Sequence, residues 1–145
     1  MFKGIYDKAV QSMTVTWAEY LDKNGDTGRL FREEFTSNMY TIGGALLILL
    51  TLASCLIYYY YFNGKFGNYY RWYHWLYALL INAVLVGMLT MIIGFSLYKK
   101  LVCPTGHHVA MLGLLNLAYA AILFFFLSFL FKWKSVMGKT TPFKF

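Results

Sequence analysis

The chain is short of acid, and the shortage is uneven. All six carboxylates (Asp7, Glu19, Asp22, Asp26, Glu33 and Glu34) lie in the first 34 of 145 residues, and none occurs from Phe35 to Phe145. Only 13% of the residues are charged and 59% are hydrophobic, against about 25% charged in ordinary soluble domains. A soluble globule of this size, one domain at most, cannot cover its surface that way. The first quarter and the remainder therefore face different solvents. Cysteine is equally scarce. Cys55 sits in an apolar run and Cys103 in a short connection, which gives no disulfide framework and no indication of redox compartment. The mixed polar and apolar opening does not read as a secretory leader.

Chemistry is missing too. No Gly-rich phosphate loop occurs, and no set of nucleophile, base and acid can be assembled. The long apolar stretches hold no Asp, Glu, Lys, Arg or His, the groups that pumps, proton-coupled transporters and intramembrane hydrolases need at membrane depth. The expectation is a protein that is not an enzyme and carries no cofactor.

What is present is hydrocarbon. Three stretches of 22 to 24 residues, 41–62, 75–98 and 109–131, are apolar almost throughout. A helix rises about 1.5 Å per residue and needs about 20 residues to cross roughly 30 Å of hydrocarbon. Three buried helices of a soluble bundle would each need a polar face, and these have almost none. The predicted fold is an all-α integral membrane protein: a non-spanning segment over 1–40, a three-helix transmembrane region over 41–131, and a basic tail over 132–145. The links at 63–74 and 99–108 are short, which makes neighbouring spans antiparallel, up-down-up. The net charge of +7 and pI near 9.4 come largely from Lys and Arg flanking apolar segments, a pattern suited to lipid headgroups.

In the first forty residues Phe2, Ile5, Tyr6, Ala9, Met13, Trp17, Tyr20 and Leu21 recur at helical spacing, with Lys3, Asp7, Lys8, Gln11, Ser12 and Glu19 between them. This predicts an amphipathic helix over about 2–21, too charged to span. It either lies on the membrane surface or packs on protein, and its mixed acids and lysines favour packing. DKNGDTGRLFREEF follows, residues 22–35. Asp22, Asn24 and Asp26 stand at alternate positions. Glu33 falls twelfth, or Glu34 does if Thr27 is an insertion, which would also put Gly28 at the turn and Leu30 at the apolar position. The stretch resembles an EF-hand calcium loop, and the resemblance implies a calcium site formed by Asp22, Asn24, Asp26 and Glu33. It departs from that pattern at Thr27, where Gly is expected, and in being single. The alternative is a polar Asn, Asp and Gly turn between two helices.

The histidines do not form a metal set. His74 opens the second span and His107 and His108 open the third, so an up-down-up arrangement puts them on opposite membrane faces. Within the spans the remaining signal is association. Ala83, Gly87, Thr90 and Gly94 form one small-residue stripe on the second span, and Ala110, Gly113, Asn116 and Ala120 another on the third. Small stripes let helices approach closely in lipid. Asn82 and Asn116 are the strongly polar residues at depth, and each should face another helix, because an unpaired amide in hydrocarbon is costly. The run Ile122–Phe131 is bulky on every side and reads as lipid-facing or packed into a larger assembly.

Residues 58–75, YYYYFNGKFGNYYRWYHW, hold eleven aromatics. Tyr58, Tyr59, Tyr60 and Tyr61 close the first span, Trp72 and Trp75 open the second, and Trp133 follows the third, all at one face. Such rings favour the headgroup level. Nucleic-acid stacking would want many interleaved basic residues, and Lys65 and Arg71 are the only two, so no nucleic-acid partner is expected. Four successive tyrosines point all round a helix, so one or two should bond to protein.

Lys and Arg number seven in the N-terminal segment with the 99–108 link, and six in the 63–74 link with the tail, a near tie. The eleven charges of the first forty residues place the N-terminus in the cytoplasm. The expected function is a small subunit with a structural, anchoring or assembly role in a larger membrane complex, with the bilayer and other membrane subunits or copies of itself as partners. The rivals are a homo-oligomeric channel, lined by Asn82 and Thr90, and a calcium-responsive membrane adaptor.

Overall fold

The computed structural model of the protein describes residues 2–13, 17–62, 72–99 and 106–132, and every element among them is helical. Helix α1 covers Phe2–Met13 and α2 covers Trp17–Glu34. The chain then widens through a π-helical turn, Phe35–Met39, into α3, Tyr40–Leu56, and ends in a second π turn, Ile57–Phe62. Helices α4, Trp72–Tyr98, and α5, Gly106–Lys132, complete the set. The predicted spans lie inside these helices. Three helices are long and apolar enough to cross a membrane: the one that begins at Trp17 and ends at Phe62, together with α4 and Gly106–Phe131 of α5. Helix is the one open form available to such segments in lipid, because it satisfies every backbone group internally.

Two boundaries differ from expectation. The amphipathic segment is described as α1 and the start of α2, and the polar turn at 22–34 is reduced to one break. Gly25 alone leaves the helical region, with φ 54° and ψ −136°, a conformation open mainly to glycine. The helix resumes at once, so lead-in and first span form one rod, bent at Gly25. The expected basic tail beyond Lys132, with Trp133, lies outside the described residues.

Helices α4 and α5 share the most extensive interface, and α3 packs on both. Glycine sets their separation. A β-carbon on Gly87 would stand 2.9 Å from Cβ of Leu117 and 3.0 Å from the carbonyl oxygen of Gly113, and one on Gly94 would stand 2.5 Å from Val109 Cγ1. Gly113 faces the Met91 side chain in the same way. Ala83 and Ala120 are buried with Leu47 and Val86 at mid-height. Both small-residue stripes are thus used inside one chain. The outward faces carry Ile81, Leu85, Ile92, Ile122 and Leu130, all exposed. The bulky run Ile122–Phe131 is two-sided: Phe124 and Ser128 point inward, Phe126 and Leu130 outward.

Candidate functional site

The N-terminal helices are joined to the bundle by a buried polar knot around Asn116. An amide has one carbonyl acceptor and two N–H donors, and the Asn116 side chain bonds in three directions. Its Oδ1 accepts from the Tyr6 hydroxyl of α1. Its Nδ2 donates to the Gly43 carbonyl of α3 at 3.2 Å and to Thr90 Oγ1 of α4 at 2.9 Å. Thr90 in turn donates to the Val86 carbonyl at 2.8 Å. One side chain of α5 therefore binds α1, α3 and α4 together. Gly43 leaves the amide its room, since a β-carbon there would lie 3.0 Å from Nδ2. Burial, then the nearby Tyr119, push the Tyr6 hydroxyl up to about 12, against a smaller downward pull from its bond to Asn116. Tyr6 stays protonated, and a donor, at any ordinary pH.

Above the knot lies an aromatic cluster. His108 is buried and stacks on Trp17 with ring centres 4.8 Å apart. Tyr20 meets its edge at 4.9 Å, and Phe31 and Phe35 close around it. Tyr98 from the end of α4 packs edge-on against Phe31. The Trp17 indole donates to Asp7 Oδ1 of α1 at 3.0 Å, while the Arg32 guanidinium stands 5.9 Å from its ring centre, within the range of a cation–π contact. These contacts seat α1 and α2 on the ends of α4 and α5. Their outward surface remains charged: Lys3, Lys8, Glu19, Lys23, Asp26 and Arg29 are exposed, and so is Leu30, at 61%.

The other end of the bundle is organised differently. The π turn at Ile57–Phe62 splits the tyrosines into two pairs: Tyr58 and Tyr59 are buried, Tyr60 and Tyr61 exposed. Trp75 donates from its indole to Ser128 Oγ at 3.0 Å, and Ser128 donates to the Phe124 carbonyl at 2.7 Å. Trp75 is buried against Phe124 and Phe125, whereas Trp72 is 61% exposed. Between α3 and α4 at this end runs a groove of about 320 Å³. Asn82 lines it and is itself buried; its Nδ2 donates to Thr51 Oγ1 at 3.3 Å, and its Oδ1 finds no partner among the described residues.

The residues of the calcium-loop resemblance are not gathered. Asp22 and Asn24 lie on the helical turn before Gly25, Asp26 and Glu33 on the helix after it. The Asn24 amide donates to the Tyr20 carbonyl at 2.9 Å, and Glu33 faces Arg29 at 3.6 Å across one turn. Among the described residues no three His, Cys, Asp or Glu side chains converge as a metal site would require. His74 and His108 belong to opposite ends of the bundle, with His74 packed beside Tyr73.

Helical spacing identified Asn82, Asn116, Thr90 and the glycines, but not their partners. Tyr6 was legible only as one of several apolar-face residues, and Val10, fully buried beside it, fell outside the expected face, whereas Ile5 within that face is exposed. Ser128 carried no signal, because an isolated serine in an apolar run commonly bonds its own helix. In comparisons with known proteins, no family model matches the chain, and no curated protein or solved structure matches it either.

Proposed function

We propose that the protein is a non-enzymatic, multi-pass membrane subunit that anchors and helps assemble a larger membrane complex, with its N-terminal helices on the cytoplasmic side. The observation that carries this reading is the seating of α1 and α2. Their inner face is locked to the spans through Tyr6, Asn116 and the ring cluster at His108, while their outer face keeps mixed charges around an exposed Leu30. A helical cap held rigidly and charged outward is a docking platform rather than a lipid-bound amphipathic helix, which would carry a basic rather than mixed polar face. The polar groups inside the spans serve contacts between helices, consistent with a structural role. A channel lined by Asn82 and Thr90 is not favoured, because both are buried within a single chain, at 2% and 0% exposure.

The test is gentle extraction followed by native mass measurement. Co-purification of different membrane proteins, lost when Leu30→Asp and Arg29→Glu are introduced on the cap, supports the proposal. Recovery of the chain only with copies of itself, together with conductance in bilayers, overturns it.

A further inference from the structure

We infer that the recess between the π turn Phe35–Met39 and the end of α4 binds the primary ammonium of an aminophospholipid headgroup, with Glu34 as its counter-charge. The recess holds about 330 Å³. Glu34 closes α2, Ser37 and Asn38 belong to the π turn, Thr41 lies in the first turn of α3, and Tyr98 closes α4. Tyr98 is the buried wall, at 5% exposure, and the Glu34 carboxylate interacts with it electrostatically, so acid and phenol face the same space. Among the described residues no ion pair reaches Glu34 and no hydrogen bond reaches the Tyr98 hydroxyl. Glu19 and Glu33, by contrast, each face a basic residue one turn away. The Thr41 hydroxyl donates to the Ser37 carbonyl at 2.7 Å, which leaves its oxygen able to accept. π turns are rare and recur at functional sites. This one turns Ser37 and Asn38 outward while Phe35, Thr36 and Met39 stay buried.

The lining selects the ligand. A carboxylate attracts a cation, and the neutral oxygens of Ser37, Asn38 and Thr41 beside it accept N–H donors, which a primary ammonium has and a quaternary one lacks. Depth selects the source. Glu34 and Ile42 stand eight residues apart, about 12 Å along a helix. Over that distance the wall changes from acid and amide to Ile42 and Leu97, the latter 52% exposed. The apolar stretch 41–62 begins at Thr41 and the stretch 75–98 ends at Tyr98. With the three long helices in a bilayer, the recess therefore stands at headgroup level, its apolar wall toward the acyl chains. The inference rests on that reading of the helices as spans. Lys99 is exposed and follows Tyr98 directly, which supplies a cation for a phosphate. A zwitterionic lipid with its amine outermost suits this order of groups: ammonium at Glu34, phosphate toward Lys99, chains along Ile42 and Leu97.

The test offers the full chain, in nanodiscs, equal amounts of phosphatidylethanolamine and phosphatidylcholine with the same acyl chains. The lipids it keeps on release are counted by native mass measurement. The wild type should keep the ethanolamine lipid about fivefold over the choline lipid, the scale of one exposed ion pair. Glu34→Gln should equalise the two. Glu33→Gln, one residue earlier and facing Arg29, should leave the preference intact. Asn38→Trp, which fills the recess from the π turn with Glu34 in place, should abolish it. Equal retention by the wild type, or a preference that survives Glu34→Gln, overturns the inference. So does displacement of the lipid by excess free ethanolamine, which would make the ligand a soluble amine. A preference seen only in Lys100→Gln also overturns it, because the chain would then be filling the site with its own lysine. A chain that stays in solution without lipid or detergent overturns the span reading and this inference together, whereas equal retention overturns the inference alone.

Discussion

The two ends of the helical bundle handle buried polarity in opposite ways. At the end that carries α1 and α2, an element from outside the three spans completes the hydrogen bonds: Tyr6 supplies the donor that Asn116 needs. At the tyrosine end, the spans rely on themselves. Trp75 donates to Ser128, which donates to the Phe124 carbonyl, and the Asn82 Oδ1 has no partner among the described residues. In lipid, where apolar side chains gain little from leaving the solvent, such bonds and close packing hold helices together. The first end is therefore completed by the N-terminal helices, which is why the docking platform is assigned there.

The comparison can be broken at its middle first. Gly87→Val inserts side-chain atoms against Leu117 and the Gly113 backbone, and overpacking of this kind costs about 1–3 kcal/mol or more. Thermal unfolding in detergent should fall, and both ends should loosen together. Loss of only one end would show that the two are not coupled through α4 and α5. Next, Asn116→Leu leaves the Tyr6 hydroxyl buried without its acceptor, at about 1–3 kcal/mol. Trypsin should then cut at Lys3 and Lys8 sooner, while the fluorescence of Trp75 stays unchanged. Ser128→Ala is the mirror experiment, worth about 1 kcal/mol. It should shift tryptophan emission at the tyrosine end and leave the protection of α1 as it was.

The smallest effect is alkaline. The Tyr6 hydroxyl is raised from 10.0 to about 12 in the folded protein, so the neutral form is the one that folding favours. Its contribution is fully present below pH 10 and is lost as pH rises through about 12. The wild type should release α1 over that window. Tyr6→Phe, already weaker at neutral pH, should show less additional loosening between pH 10 and 12.

Three long apolar helices and their order along the chain were legible because composition carries them directly. Glycines at 87 and 94 and the asparagines stand out against Leu and Ile. The joint between cap and bundle was not legible, because Tyr6 and Asn116 lie 110 residues apart and no local pattern links them. The register of α1 differs from the expected face for a related reason. Its buried line follows Tyr6 and Val10, chosen by what α3 and α5 present, rather than the widest apolar arc. At 22–34 the acidic residues looked like a loop, yet one glycine supplied the whole break and the flanking residues took helical geometry. The four tyrosines were expected to point all round an α-helix, and the π turn instead sorts them into an inward and an outward pair.

The central claim is that α1 is an integral part of the helical bundle, packed on α3 and α5. Hydrogen–deuterium exchange of the full chain in nanodiscs tests it most directly. Amides of Phe2–Met13 should be protected to the level of α2 in the wild type, and should lose that protection in Asn116→Leu while α4 and α5 keep theirs. Exchange of α1 at unstructured-peptide rates in the wild type would contradict the account.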